Sequence, residues 1–231
     1  MKIAILIYNG MTMLDAIGPY EVLAQLPDAE VFFVAKKRGT VKSDTGFVKI
    51  KADYNFKDIT KADILLIPGA TIAFVKVMKD KKTLAWIRNV DKTTKYTTSV
   101  CSGSLILASA GLLKGLKATS HWRSINLLKD FDAIPVKERF VHDEKIITAA
   151  GVSAGIDMAL YLADEIVGEQ QSKAIQLMIE YDASPPYNSG NYDFCEPDII
   201  KIAEKKLTLN AKKELSVIDK IANFSTLKKM K

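Results

Sequence analysis

The sequence is poor in cysteine: its 231 residues include only two, Cys101 and Cys195. Two cysteines cannot build the disulfide framework of a small secreted protein. This count fits a reducing compartment, so we expect a cytoplasmic protein whose thiols are free. Whether a free thiol packs or reacts is then decided by its surroundings.

Long hydrophobic runs are also missing from the sequence. No apolar run approaches the roughly 20 residues that a membrane-spanning helix needs, so we expect no membrane partner. The apolar residues 3–7 are too few for a secretory leader, and we interpret them as a first strand. The hydrophobic content of 48% and the charged content of 26% are those of an ordinary globular protein.

Motifs of common cofactor and nucleic-acid sites are missing as well. The sequence has no G-x-G-x-x-G or G-K-[ST] loop and no cysteine–histidine cluster with metal-ligand spacing. We therefore expect neither a nucleotide cofactor nor a metal. The formal net charge is +6, but the lysines are spread along the chain, with their densest cluster at residues 228–231. Because no groove-reading motif accompanies them, nucleic acid is not an expected partner.

Short apolar strands alternate with helical patterns along most of the chain. Residues 64–67 and 96–100 have the composition of strands, and the apolar spacing of residues 13–26 indicates a helix. This alternation predicts a single-domain α/β fold with a mostly parallel sheet and helices on both faces. We expect this domain to span residues 1–190, with a helical extension at 191–231 packed on it.

One of the cysteines lies at a predicted corner between a strand and a helix. In "YTTSVCSGSLILASAGLL", the β-rich stretch 96–100 runs into Cys101, and a helical pattern follows from Ser102. Such corners lie at the carboxyl ends of strands, where open α/β sheets bind their ligands. A tight turn there can present a nucleophile, with Gly103 keeping the helix close to the sheet. The helix N–H groups should lower the pKa of Cys101 and stabilise negative charge on an intermediate.

Both cysteines also have an interpretation without chemistry. Free cysteine is among the residue types most often buried, so Cys101 could be a packed, unreactive side chain. The residues around Cys101 leave both interpretations open. Cys195 lies in a loop with proline and glycine, and we interpret it as incidental.

Several stretches together resemble a known family. "SVCSGSLILASAGLLKGLKATSHW" is similar to the cysteine segment of the ThiJ/PfpI superfamily, whose fold is like that of class I glutamine amidotransferases. "NGMTMLDAIGPYEVL", "DILLIPGA" and "TAAGVSAGIDMALYLADEIVG" resemble other segments of the superfamily, in the same order. With "IQLMIEYDASPPYNSG", the pattern looks closest to the isonitrile hydratase branch. The resemblance extends to about residue 190 and implies a flavodoxin-like sheet with a nucleophile elbow.

The resemblance implies catalytic roles for three residues. The elbow cysteine of the superfamily is a nucleophile or an oxidisable thiol, and here it is Cys101. An acidic residue after the first strand points at the sulfur, and here it is Asp15, which would otherwise be an ordinary residue of a helix N-terminus. Because adjacent anions repel, we expect Asp15 and Cys101 to share one proton over much of the neutral range. Ser102 replaces the usual threonine of the hydratase branch and keeps its hydroxyl.

The resemblance also implies binding positions. Gly69 and Ala70 replace the more common Gly-Gly of a loop that supplies backbone N–H groups, and we expect that loop and Ser102 to give one donor each. His121 and Trp122 match a segment near the cysteine and the dimer contact. His121 is explained equally well as a hydrogen-bonded structural histidine, and Trp122 better as packing or pocket wall.

The function implied is a small-molecule hydratase or lyase, with hydration of an isonitrile to an N-substituted formamide through a thioimidate. A glyoxalase- or deglycase-like reaction is an alternative because it needs the same thiolate and acid. The peptidase branch has histidine directly after the cysteine, where this sequence has Ser102, which counts against peptide hydrolysis. The segment His142-Asp143-Glu144 echoes a glutamine amidotransferase motif, but it lies at a predicted hairpin turn, and we reject it as a triad.

Two classes of protein without catalysis remain as alternatives. The same pocket could serve a ligand- or redox-sensing protein. Some relatives carry a DNA-binding module after this domain, but the tail after residue 190 is too short for one. A holdase-like interaction protein would need a large exposed apolar patch, and we rank it last. The family usually forms homodimers, so we expect a homodimer that binds a small-molecule substrate.

Overall fold

The computed structural model describes residues 1–228, with side chains as far as residue 214. Residues 229–231 of the lysine cluster therefore lie outside the described part. The chain forms two compact units, Met1–Tyr181 and Asp182–Lys231. The second unit contains a 3-10 helix at Tyr192–Phe194 and a helix at Pro197–Lys228. Packing of a 191–231 extension on the α/β domain stays a prediction.

The first unit alternates strands and helices, as predicted. In chain order its elements are β1 (Lys2–Leu6), α1 (Met13–Leu23), β2 (Glu30–Ala35), β3 (Gly39–Lys42), β4 (Lys49–Ala52), β5 (Tyr54–Asn55), β6 (Ile64–Ile67), α2 (Phe74–Lys79), α3 (Lys81–Asp91), β7 (Tyr96–Val100), α4 (Gly103–Ser109), β8 (Lys117–Ala118), a 3-10 helix (Ile125–Phe131), β9 (Ile134–Pro135), β10 (Phe140–Asp143), β11 (Ile146–Ala149), α5 (Ala154–Val167) and α6 (Glu169–Met178). The helix of the second unit is α7. Among the described residues, no helix combines the length and hydropathy that crossing a membrane requires.

A seven-stranded sheet forms the centre of the first unit. Its strand order is β10-β11-β7-β6-β1-β2-β5, and only the pair β10–β11 is antiparallel. The central strands are buried on both faces, which explains why β6 reads as an unbroken apolar run. The predicted α/β fold with a mostly parallel sheet is confirmed. The carboxyl ends of β1, β6, β7 and β11 lie side by side at one edge of the sheet.

Helices cover both faces of the sheet, also as predicted. One apolar core includes Phe74 of α2, Ile87 of α3 and Leu105 of α4. The other includes Val22 of α1, Met158 of α5 and Ile175 of α6. Burial of these two faces is the main favourable contribution to folding of such a sheet.

Two glycines allow the backbone approaches that bring the site together. A Cβ at Gly103 would lie 2.1 Å from the carbonyl oxygen of Ile67, so α4 begins directly against the end of β6. The predicted role of Gly103 is therefore confirmed. A Cβ at Gly155 of α5 would lie 3.0 Å from Cγ of Pro19. The absence of a side chain at Gly155 therefore lets α5 pack closely against the middle of α1.

Candidate active site

Cys101 occupies a sharp turn between β7 and α4. Its φ of 60° is in the left-handed region, which is uncommon for a residue with a side chain. The Cys101 N–H donates to the carbonyl oxygens of Ala149 and Ala150, at 3.1 and 2.8 Å. Its own carbonyl accepts hydrogen bonds from the hydroxyls of Ser104 and Ser120, at 3.2 and 3.0 Å. These contacts fix the elbow from both sides.

The thiol of Cys101 is buried, with 5% of the residue accessible to solvent. Burial and the negative charge of Asp15 raise its pKa well above the usual value for cysteine. The N–H groups of Ser102 and Val152 and the Ser102 hydroxyl act in the opposite direction, but they do not outweigh burial. The prediction that the helix N-terminus gives Cys101 a low pKa is therefore wrong.

Asp15 lies in the first turn of α1 and is fully buried. The Gly69 N–H donates to its Oδ2 at 2.9 Å. Burial raises the pKa of Asp15 to about 7 with help from the charge of Asp44, whereas the Gly69 N–H and the Cys101 thiol lower it. Within the described residues, Asp15 Oδ1 has no hydrogen-bond partner of standard geometry. This oxygen is the one left to accept or give a proton.

Asp15 and Cys101 form a coupled pair, called here the acid–thiol pair. Each group shifts the pKa of the other, so their protons are lost in steps that belong to the pair. Below about pH 7 both groups are protonated, and above it the pair keeps one proton until the thiol also ionises. The expectation of one shared proton fits this arrangement from about pH 7 upward.

The loop after β6 uses its N–H groups within the site. The Ala70 N–H donates to Ser102 Oγ at 2.9 Å, and this hydroxyl lies 2.9 Å from the Ala70 carbonyl oxygen, to which it donates. The Gly69 N–H is held by Asp15. Both N–H groups of the loop thus have buried partners in this structure, and their donation to an intermediate stays a prediction. Ala70 is not at positive φ, so its side chain adds no backbone strain.

Val152 is the functional position that the sequence did not reveal. Its backbone N–H faces the Cys101 sulfur together with that of Ser102. Its φ of 29° is unusual for a β-branched residue, which places backbone strain beside the sulfur. The available signal was its position between β11 and α5, at the same edge of the sheet as Cys101.

His121 packs against the loop that carries Val152. A Cβ at Gly151 would lie 3.1 Å from its Cδ2, and its Nδ1 accepts a hydrogen bond from the Arg123 N–H at 3.3 Å. Burial and the charge of Arg123 lower the pKa of His121 to about 4, so its ring is neutral at pH 7. The Trp122 ring centroid lies 5.3 Å from that of His121. These contacts favour a structural role for His121, which packs against the loop that carries Val152.

The remaining candidates have contacts of their own. His142 Nδ1 lies 2.8 Å from the Tyr161 hydroxyl, and Asp143 accepts a hydrogen bond from the Lys117 N–H, as suits a hairpin of β10 and β11. Cys195 belongs to the second unit, with its sulfur 4.0 Å from Glu196 Oε2. In the part of the chain that the structure describes, no group of three or more histidine, cysteine or acidic side chains could hold a metal ion.

Comparison with known proteins assigns this elbow and its neighbours to a family. The DJ-1/PfpI family matches residues 1–165. The chain belongs to the DJ-1/PfpI family. It is 39% identical over 222 residues to a protein named isonitrile hydratase from Pseudomonas putida, and the match covers 96% of each chain. A DJ-1/PfpI relative named as a deglycase, from Pyrococcus horikoshii, is 30% identical over 163 residues, which are 70% of this chain and 93% of the relative.

Solved structures agree with this membership. A ThiJ/PfpI family protein from Pseudomonas syringae superposes with a TM-score of 0.86 at 39% identity, covering 92% of this chain and 88% of that one. DJ-1beta from Drosophila melanogaster superposes with a TM-score of 0.69 at 18% identity, covering 78% and 97%. The second likeness shows that the DJ-1/PfpI fold persists when most of the sequence has changed.

The raised pKa of Asp15 predicts how its replacement changes stability with pH. An ordinary aspartate ionises near pH 4 in the unfolded chain, whereas buried Asp15 holds its proton to about pH 7. As pH rises between these values, the folded state loses stability, by up to roughly 4 kcal/mol for this difference in pKa. We expect Asp15→Asn to stabilise the protein by about 2–4 kcal/mol more at pH 8 than at pH 4, measured by urea unfolding.

Asp53→Asn is the matched control for this measurement. Asp53 is exposed and pairs with Lys51 at the surface, so the same chemical change should have a small effect at both pH values. An Asp15→Asn effect that is equal at pH 4 and pH 8 would contradict the raised pKa of Asp15.

Proposed function

We propose that the chain is a cysteine-dependent hydratase that adds water to isonitriles and releases N-substituted formamides. The observation that carries this proposal is the buried pairing of Asp15 with Cys101 at the elbow. Isonitrile hydration needs a proton and a nucleophile delivered to the same carbon atom. The acid–thiol pair holds one of each, and the nearly full-length similarity to an isonitrile hydratase supports the same chemistry.

The first step joins the substrate to the protein. In the predominant one-proton form the proton is on Cys101, because the pKa of the thiol is well above its usual value. In the minor form that reacts, this proton has moved to Asp15 and Cys101 is a thiolate. The isonitrile carbon takes the proton from Asp15, and Cys101 Sγ forms a bond to that carbon. The result is a thioimidate, R–N=CH–S–Cys101, beside an ionised Asp15.

Water then completes the reaction. Ionised Asp15 takes a proton from water while the water oxygen attacks the thioimidate carbon, and this proton passes to the substrate nitrogen. The C–S bond breaks and releases R–NH–CHO. The remaining proton of the attacking water returns to the acid–thiol pair, so one water is consumed and nothing is oxidised or reduced.

The environment of the pair suits this use of Asp15. A general acid is most effective when its pKa is near the working pH, and burial brings the pKa of Asp15 to about 7. The Ser102 and Val152 N–H groups favour the thiolate at the moment when it attacks. Burial of the sulfur also favours a small reacting group, such as the terminal carbon of an isonitrile, over a peptide bond.

A glyoxalase- or deglycase-like reaction is the second candidate, because deglycases are among the relatives. The same thiolate would add to a carbonyl carbon instead of an isonitrile carbon. A redox sensor is less favoured, because burial and a raised pKa both reduce the thiolate population that peroxide attacks.

Activity measurements on three variants test the proposed function. We expect Cys101→Ala and Asp15→Asn each to lower kcat/KM for an alkyl isonitrile by about 10²–10⁴-fold or more, because each removes a reacting group. Cys195→Ser is the control and should leave kcat/KM unchanged. Formamide formation followed by NMR is the readout, with methylglyoxal tested in parallel. Hydration that persists in Cys101→Ala would contradict the proposal, and turnover of methylglyoxal alone would favour the second candidate.

We also propose that the protein forms a homodimer through the exposed surface of α1 and the β3–β4 hairpin. Leu14 and Val48 line a concavity of about 420 Å³, and Phe47 beside them is 91% exposed. A second copy would remove these apolar side chains from water.

Sedimentation velocity should give twice the chain mass of 25.5 kDa, and Phe47→Ser should shift the protein towards the single-chain mass. A wild-type particle of single-chain mass would contradict the homodimer.

A further inference from the structure

The turn of the β3–β4 hairpin reaches the loops that hold the acid–thiol pair. The Asp44 N–H donates to the Met11 carbonyl oxygen at 3.0 Å, and Ser43 forms a β-bridge with Met11. Met11 forms a second bridge with Ala70, in the loop after β6. The hairpin turn is thus anchored to the segment that leads into α1, four residues before Asp15.

The side chain of Asp44 links these loops directly. Its Oδ2 accepts hydrogen bonds from the hydroxyl of Thr12 at 3.0 Å and, more weakly, from that of Thr71 at 3.4 Å. Its Oδ1 accepts from the Thr45 N–H at 2.8 Å. All three donors are neutral groups. They hold the carboxylate in place without cancelling its charge.

The Thr12 hydroxyl binds Asp44 and does not cap α1. Thr12 is the N-cap residue of α1, where a threonine hydroxyl usually accepts a hydrogen bond from a backbone N–H of the first turn. Here the hydroxyl donates to Asp44 and makes no cap hydrogen bond. The Thr12 N–H donates to the Gly69 carbonyl oxygen at 3.0 Å, while the Gly69 N–H is bound to Asp15. The Thr12 carbonyl oxygen in turn accepts a hydrogen bond from the Asp15 N–H at 3.2 Å. Thr12 therefore connects Asp44 with both Gly69 and Asp15.

We propose that Asp44 is a positioning residue for the acid–thiol pair: through Thr12, Thr71 and the Met11 backbone it ties together the loops that hold Asp15 and places a carboxylate beside them. This inference rests on the proposed use of the pair as acid and nucleophile. It deepens that function by assigning control of the pair's protonation to a residue of the hairpin, remote in sequence.

The charges around Asp15 support this assignment. The hairpin supplies the negative charge of Asp44, which acts in the same direction as burial on the pKa of Asp15. The loop after β6 supplies the Gly69 N–H and the elbow supplies the Cys101 thiol, and both lower that pKa. Asp44 is thus the charged group on a neighbouring element that opposes ionisation of Asp15. Its removal should make the pair lose its first proton at lower pH.

Alkylation of Cys101 by iodoacetamide tests the electrostatic part without any substrate. In a Cys195→Ser background, the rate constant should rise with a midpoint near pH 7, where the pair loses its first proton. Asp44→Asn keeps an oxygen for Thr12 but removes the charge. We expect its midpoint to fall by roughly 0.5–1 pH unit, and the alkylation rate above the midpoint to fall by about 3–10-fold, because an Asp15 of lower pKa leaves less of the one-proton state as thiolate.

Asp53→Asn removes the same charge from an exposed site just after β4 and serves as the control. A midpoint for Asp44→Asn that equals that of this control, or that moves to higher pH, would overturn the proposal. A shifted midpoint in a protein that hydrates no isonitrile would instead leave the role of Asp44 standing and contradict the proposed function.

Thr12 variants test the positioning part. Thr12→Val keeps the Asp44 charge but removes the hydroxyl donor, so kcat for isonitrile hydration should fall by about tenfold while the pH midpoint stays unchanged. Thr12→Ser restores the donor and should restore kcat. A loss of kcat in both variants, or in neither, would show that the Thr12–Asp44 hydrogen bond does not position Asp15.

Discussion

Repulsion between two potential anions is the constraint on which this site depends. Asp15 and Cys101 are both buried at the end of the sheet, and burial together with the negative charge of Asp15 raises the pKa of the Cys101 thiol. Holding both charges at once would cost more than keeping a proton. The pair therefore retains one proton above about pH 7, and the proposed hydration uses this proton together with the thiolate.

The fold places backbone atoms in close contact with Asp15 and Cys101 and buries both side chains away from water. A Cβ at Gly69 would lie 2.6 Å from the Ser102 nitrogen and 2.9 Å from the Cys101 Cβ, so no larger residue fits between the loop and the elbow. The N–H groups that remain at the sulfur come from Ser102 and Val152. They lower the cost of a thiolate without adding a mobile side chain.

Much of the fold and part of the site could be predicted from the sequence. The strands, the covering helices and the elbow follow from apolar periodicity and from Gly103, which are local signals. The pKa of Cys101 was predicted in the wrong direction, because burial is a property of tertiary packing. Val152 acts through its backbone and Asp44 lies in a distant hairpin, so neither residue type carried a signal. The partners of Gly69 and Ala70 likewise depend on distances that only the folded chain sets.

Infrared spectroscopy of the protonated carboxyl group tests the central claim most directly. The account predicts that wild-type protein at pH 6 shows the carbonyl band of a buried carboxylic acid, which Asp15→Asn lacks. This band should convert to that of a carboxylate with a midpoint near pH 7, while the Cys101 thiol is still protonated. An Asp15 that is already ionised at pH 5, or a Cys101 that is fully thiolate at pH 6, would contradict the account.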